Sequence, residues 1–400
     1  MKKTYLFILL ISFWGFSCSS DDAANADPDD DKNDPEEIVL QLVDKNATEE
    51  TKALYSQLWK IQSVGTMFGH HESLAYGRSW KDEPGKSDVK EIVDDYPAVY
   101  SSDFSKVEQG YDTNINGVSF ETVRRTMQEA RRRGEVITMC WHVDNPLTGG
   151  DSWDNSSNQV AKEILTEGSE VNIKFKSWLD NLADFNATLI DDNGNLIPII
   201  FRPFHEHTQT WSWWGRSATS QQEFIALWKF TVDYLRDTKG VHNFIYAISP
   251  QMDSPLSKED LLFRYPGDDY VDFLGMDCYH GTNTAAFMQN LRNLSLLSQE
   301  KKKPSGVTET GIEGIRKGDG SEYSDYWTKE MLTPLVGRKV SLVVMWRNQY
   351  DPTGSGHHFY GPWADHSSAA DFVKFYESPI TLFSSDLPDM YTMADGVKVD

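Results

Sequence analysis

Two glutamates stand in segments whose residue types suit proton transfer and attack at carbon. Glu206 sits in Ile200-Phe201-Arg202-Pro203-Phe204-His205-Glu206-His207-Thr208-Gln209-Thr210-Trp211-Ser212-Trp213-Trp214-Gly215, and Glu309 in Gly306-Val307-Thr308-Glu309-Thr310-Gly311. Cleavage of a glycosidic bond needs one carboxylic acid to protonate the leaving oxygen and one carboxylate opposite it. A pair about 5–5.5 Å apart works through a covalent intermediate and retains configuration. Apolar and aromatic neighbours such as Trp211 and Trp213 disfavour an ionised carboxylate, which is expected to keep Glu206 protonated as the acid. A lone glutamate is usually a satisfied structural carboxylate. Two of them closing separate apolar runs among aromatic residues fit this chemistry better.

Other chemistries fit less well. His205-Glu206-His207 invites a zinc reading, but a zincin needs His at i and i+4 on a helix. The i+4 position from His205 is Gln209, and Pro203 stands beside the motif. There is no Walker loop and no G-x-G-x-x-G fingerprint. Three cysteines exclude a disulfide scaffold and a Cys₄ zinc site. Cys140 and Cys278 fall on non-neighbouring runs and are expected to be buried thiols. No metal or cofactor is required by this reading. Lys+Arg number 38 against 61 Asp+Glu, a net charge of -23, which argues against a nucleic-acid partner.

Positioning both glutamates calls for a repeating scaffold. Eight β-branched or aromatic runs stand out: Val64–His71, Pro97–Phe104, Glu135–His142, Pro198–Glu206, Asn243–Pro250, Phe273–His280, Ser305–Gly311 and Ser341–Asn348. Most intervals between them carry helical periodicity. Ser119 opens one helix that runs to Gly134, Gln221 to Gly240 is another, and Thr284–Gln299 and Tyr323–Val336 follow. Thr48–Gln62 is expected to be a helix before the first strand. Alternating strands and helices predict a parallel sheet, and eight of them a (β/α)₈ TIM barrel in the α/β class. Polar and aromatic residues crowd the ends of the runs, as in Ser102-Asp103, Trp141-His142, Asp277-Tyr279-His280 and Trp346-Arg347-Asn348. In such a barrel the C-terminal strand ends form the active-site face. The longest interval carries Asn145 to Trp153, rich in Gly and Pro, which reads as a loop over that face.

At this point the residues resemble glycoside hydrolase family 26. Arg202-Pro203-Phe204-His205-Glu206, with Trp211 and Trp213-Trp214-Gly215, is similar to its acid/base segment, and Val307-Thr308-Glu309-Thr310-Gly311 to its nucleophile segment. The resemblance runs from Gly69-His70-His71 to Trp346-Arg347-Asn348. It implies a retaining enzyme, most often an endo-β-1,4-mannanase acting on mannan or galactomannan. An exo-acting mannobiohydrolase, or a relative acting on β-1,3-xylan or mixed-linkage β-glucan, is the alternative; a remote one is an inactive glycan-binding barrel. It further implies Glu206 as acid/base, Glu309 as nucleophile, His205 beside the nucleophile and Tyr279 hydrogen-bonded to Glu309. His142 is expected to bind a sugar hydroxyl, Trp346 to stack on the −1 sugar, Trp211 to form the +1 platform and Arg347 to reach the −2 sugar. Trp153 is expected to be either a loop subsite or a surface anchor. Where many members carry an Asn and a Gly, this chain has His207-Thr208-Gln209-Thr210, which puts the detail of the +1 side in question.

The first forty residues read as an address and a tether. Lys2 and Lys3 precede a twelve-residue apolar run, Tyr5–Phe16, too short to span a bilayer. Phe16-Ser17-Cys18-Ser19-Ser20 resembles a bacterial lipobox, so residues 1–17 are expected to be a signal peptide and Cys18 to be lipidated. Asp21–Glu37 holds nine acids and one base, which reads as an extended linker. Acids close behind a lipobox Cys resemble the surface-export signal of Bacteroidetes-type lipoproteins. The expected organisation is a signal peptide over 1–17, a lipidated acidic tether over 18–40 and one catalytic domain over 41–400. The expected setting is an outer-membrane lipid anchor facing the cell exterior, with the protein a monomer.

Overall fold

Each predicted apolar run becomes a strand of one closed sheet in the computed structural model, which describes residues 37–400. The expected leader, lipidated Cys18 and tether up to residue 36 lie outside the described residues. In chain order the strands are β1 (Ile38–Leu40), β2 (Thr66–His71), β3 (Val99–Asp103), β4 (Val136–Trp141), β5 (Ile199–Pro203), β6 (Phe244–Ile248), β7 (Phe273–Cys278), β8 (Ser305–Thr310), β9 (Leu342–Met345), β10 (Thr381–Leu382) and β11 (Val397–Val399). Strands β2 to β9 pair with their successors in parallel, and β9 pairs back to β2 to close the barrel. The short β10 adds to β2, and β1 pairs in parallel with β11. Residues 38–40, expected in the tether, therefore belong to the folded unit.

Alternation along the strands builds two apolar layers. Phe68, Tyr100, Ile137, Phe201 and Tyr246 share one cluster with helix residues such as Met127, Phe175 and Leu291. Met67, Val99, Ile200, Ile245, Phe273 and Leu342 share the other with Leu54, Tyr55 and Leu58. Helix Glu49–Ile61 thus packs across the N-terminal end of the barrel, where Tyr55 donates to the carbonyl of Asp272 at 3.1 Å.

The helices start where their capping residues permit. Thr48, Ser119, Ser169 and Ser220 each accept a hydrogen bond from the backbone N–H three residues on. Such a cap stabilises a helix by about 1 kcal/mol relative to alanine. The helix from Ser119 runs over Phe120–Arg132, and Gly134 leaves it with φ +81. Gln221–Asp233 ends in a π-helical turn, Tyr234–Thr238. The expected helix over Tyr323–Val336 is shorter, beginning at Trp327. The longest interval holds two helices after its loop, Val160–Leu165 and Glu170–Asn186.

Candidate active site

Strand β5 places a charge inside the barrel. Ile200 belongs to the inner apolar layer, and Arg202, two residues on, points the same way. Its guanidinium is almost wholly buried and divides between two carboxylates: Nη1 donates to Asp277 Oδ2 and Nη2 to Glu309 Oε2, both at 2.6 Å. Burial works against its charge, but the carboxylates of Asp277 and Glu309 outweigh that and hold its pKa above the usual arginine range. Asp277 is further satisfied by Thr308 Oγ1 at 2.7 Å and Ser249 Oγ at 3.0 Å. Burial pushes its pKa up to about 7 against the opposing pull of Arg202.

Glu309 faces inward because β8 carries an extra residue. Met276 pairs with Val307, yet Asp277 pairs with Glu309, so Thr308 is inserted between them. This bulge lets Thr308 and Glu309 in succession address the barrel interior, where strict alternation would send one outward. Tyr279 then donates its hydroxyl to Glu309 Oε1 at 2.5 Å, the contact the sequence resemblance implied. Both carboxylate oxygens of Glu309 are thus held by donors.

Glu206 is presented by a bent turn beyond β5. Phe204 and Glu206 have φ +48 and +54, a left-handed backbone that costs non-glycine residues free energy and is retained where surrounding structure fixes it. The fixing contacts are specific. Glu206 N donates to Ser249 O at 2.8 Å, and Trp214 Nε1 to His205 O at 2.7 Å. Arg264, itself buried, donates to the carbonyls of His207 (2.8 Å), Trp214 (2.9 Å) and Thr219. Trp211 Nε1 donates to Glu206 Oε2 at 3.0 Å. Burial raises the Glu206 pKa well above the ordinary carboxylate range, and the negative charges of Glu309 and Asp277 raise it further.

The mouth is completed by rings. His142 Nδ1 meets Asp103 Oδ2 at 2.5 Å, and its Nε2 meets His205 Nε2 at 3.0 Å. Burial opposes a charged His142, but Asp103 outweighs it and raises its pKa, whereas burial, Arg202 and His142 press His205 well below the usual range. Both His142 nitrogens are engaged within the protein, so the hydroxyl-binding role implied above would require it to release His205. Asp103, Cys140 and His142 bring ligand-type atoms within 4.8 Å of one another, but Asp103 and His142 spend theirs on each other. Cys140 and Cys278 are buried free thiols, as expected.

Trp346 stacks on His71 with ring centroids 4.3 Å apart, and Trp153 lies 5.6 Å from His142. Trp211 and Trp153 remain 37% and 47% exposed, leaving aromatic faces open on the β4–β5 side of the mouth. Arg347 lies across the mouth, 3.5 Å from the Tyr76 hydroxyl, which is itself hydrogen-bonded to Glu72. Sequence reasoning missed the working roles of Arg202, Asp277, Asp103 and Arg264. The available signal was a charged residue inside, or at the end of, an otherwise apolar run.

A closed parallel barrel with two carboxyls in contrasting environments, beyond its fourth strand and on its seventh, is the apparatus of a glycoside hydrolase. The model of glycosyl hydrolase family 26 matches residues 43–315, and the chain belongs to that family. A mannan endo-1,4-β-mannosidase of Bifidobacterium adolescentis is 32% identical over 366 residues, 86% of this chain. The match spans about a third (36%) of that longer protein. Among solved structures, a GH26 β-mannanase from Bacteroides ovatus is 40% identical with a TM-score of 0.81, covering 87% of this chain and 98% of that one. The catalytic domain of a Bacillus GH26 endo-β-1,4-mannanase is 31% identical, also at TM-score 0.81, covering 92% and 99%.

Proposed function

We propose that the chain is an endo-acting, retaining β-1,4-mannanase with Glu206 as acid/base and Glu309 as nucleophile. One observation carries this reading: the two carboxyls sit at one barrel mouth, one raised in pKa by burial, the other gripped by Arg202 and Tyr279. The names of the relatives supply the substrate class, β-1,4-mannan.

The two steps follow from the geometry. Glu206, protonated, gives its proton to the leaving glycosidic oxygen while Glu309 attacks the anomeric carbon and forms a glycosyl ester. Forming that ester removes the Glu309 charge, one of the causes that raise the Glu206 pKa. Glu206, now ionised, accepts a proton from water, which attacks the same carbon and releases Glu309. Tyr279 and Arg202 stabilise the departing carboxylate.

Residues 1–36 support a second proposal, that lipidated Cys18 anchors the enzyme at the outer membrane and the acidic tether holds it at the cell surface. Metabolic labelling with a lipid precursor, lost in Cys18→Ala, tests this.

For the activity, the test is a time course on galactomannan and on unbranched mannan. An early fall in viscosity with a spread of oligosaccharides is expected. Mannobiose alone from the start would make the enzyme exo-acting. No product from either would contradict the mannanase reading and favour β-1,3-xylan or mixed-linkage glucan as substrate.

A further inference from the structure

The acid stands on a segment that has already left its strand. β5 pairs with β6 up to Phe201 and ends at Pro203. The chain then turns through Phe204 and Glu206, both left-handed. One backbone bond continues the pairing, from Glu206 N to Ser249 O at 2.8 Å. The next contact comes from a side chain. Thr208 Oγ1 donates to Gln251 O at 3.1 Å and accepts from Gln251 N at 3.0 Å. A hydroxyl can do both at once, so Thr208 stands in for a peptide group in the ladder. Gln251 is buried, and its backbone N–H and C=O meet no other partner among the described residues. Leaving such groups unpaired is costly, which fastens the acid segment at this point.

The stretch that receives Thr208 also serves the nucleophile. Residues 249–253 follow β6 and are tied to β7 by Asp277 N to Pro250 O at 3.0 Å and Met252 N to Asp277 O at 2.8 Å. Helix Thr284–Lys301 supplies buried Asn290, whose Nδ2 donates to the carbonyls of Met252 (2.7 Å) and Ser254 (2.8 Å). Gln251 Nε2 donates to Asp253 Oδ2 at 2.5 Å, and Asp253 Oδ1 accepts from Tyr279 N at 2.7 Å. Tyr279 in turn donates to Glu309. One brace therefore bears both catalytic carboxyls, Glu206 through Thr208 and Glu309 through Asp253 and Tyr279.

We propose that Thr208 is a positioning residue for the acid. Its hydroxyl, anchored on Gln251, sets where the Glu206 carboxyl stands relative to Glu309. Thr208 acts through the backbone two residues from Glu206 and lies in the stretch, His207-Thr208-Gln209-Thr210, where this chain departs from the family pattern. The inference rests on the reading of Glu206 as acid/base and adds the group that aligns it. Misplacing a catalytic group by about 1 Å can lower a rate on the order of 10²-fold. Here the loss should fall on leaving groups that need a proton.

The test compares kcat/KM, which reports the first step, on mannopentaose and on dinitrophenyl β-mannobioside. Valine at 208 keeps the shape and removes both hydrogen bonds; serine keeps the hydroxyl. Thr208→Val is expected to lose about tenfold or more on mannopentaose and several-fold less on the dinitrophenyl glycoside, whose leaving group departs unprotonated. Thr208→Ser should recover most of the loss. Asp253→Ala, which releases the nucleophile side of the brace, should lower both substrates alike. If the valine variant does not fold, Thr208→Ala takes its place. Equal losses on the two substrates in Thr208→Val, no loss at all, or no recovery in Thr208→Ser would overturn the proposal, as would an equally large split between substrates in Asp253→Ala. Equal losses in Glu206→Ala would instead overturn the assignment of the acid, on which the inference rests.

Discussion

Arg202 gives its two terminal nitrogens to Asp277 and Glu309, while Trp211 supplies the hydrogen bond to Glu206. Removal of the acid should matter most when the leaving group needs a proton. Glu206→Ala is expected to lower kcat/KM on mannan by about 10²–10⁴-fold, and far less on a dinitrophenyl mannobioside, with azide restoring turnover of the latter. Equal losses on both substrates would exclude Glu206 as the acid. The Trp211 hydrogen bond favours the ionised form of Glu206. Since activity needs the protonated form in the first step, the basic limb of kcat/KM should lie above the ordinary carboxylate range. Trp211→Phe should move it further to alkaline pH, as a pH–rate profile would read. Tyr279→Phe removes a hydrogen bond to a charged group, worth roughly 1.5–3 kcal/mol. It should slow release of the intermediate and show as a larger pre-steady-state burst. Glu206 and Glu309 were legible in the sequence because each sits in a compact local motif, whereas the Tyr279 contact, across 30 residues, was implied only by the family resemblance. Arg202 was in plain view yet unassigned, because its partners are 75 and 107 residues away. Only a closed barrel brings them together.

The segment from Phe204 to Thr219 carries the acid, and its shape depends on a residue from a later loop. Arg264 is buried and donates to three carbonyls of that segment. Burial lowers its pKa to about 10. Lysine lacks the planar fork needed to reach three acceptors. Arg264→Lys and Arg264→Met are therefore both expected to lower kcat on mannan and to reduce stability, by about 2–3 kcal/mol for three lost hydrogen bonds. Thermal unfolding together with kcat would check this, and wild-type kcat in both variants would count against it. The eight strands were readable because buried parallel strands are short continuous apolar runs. The bulge at Thr308 was not, since inserting one residue leaves the apolar run unchanged and only the pairing with β7 reveals it. Two helices in the longest interval were likewise hidden behind its Gly- and Pro-rich loop.

Over the whole molecule, closing the barrel buries ionisable groups that unfolding would release. His70 is wholly buried with neither ring nitrogen partnered, and burial lowers its pKa from 6.5 to about 3. The unfolded chain binds that proton first, so the stability His70 contributes is complete above pH 6.5 and is lost progressively as pH falls toward 3. His70→Leu should flatten the decline of Tm over that window, and parallel declines in the two proteins would refute the assignment. The central claim concerns the reaction itself, a double displacement between Glu206 and Glu309 at one end of this barrel. Its most direct test is proton NMR of the first-formed anomer during hydrolysis of mannopentaose, recorded before mutarotation. The account predicts the β-anomer first, with the α-anomer growing in later. An α-anomer at the outset would mean single displacement by water and would contradict a covalent intermediate on Glu309.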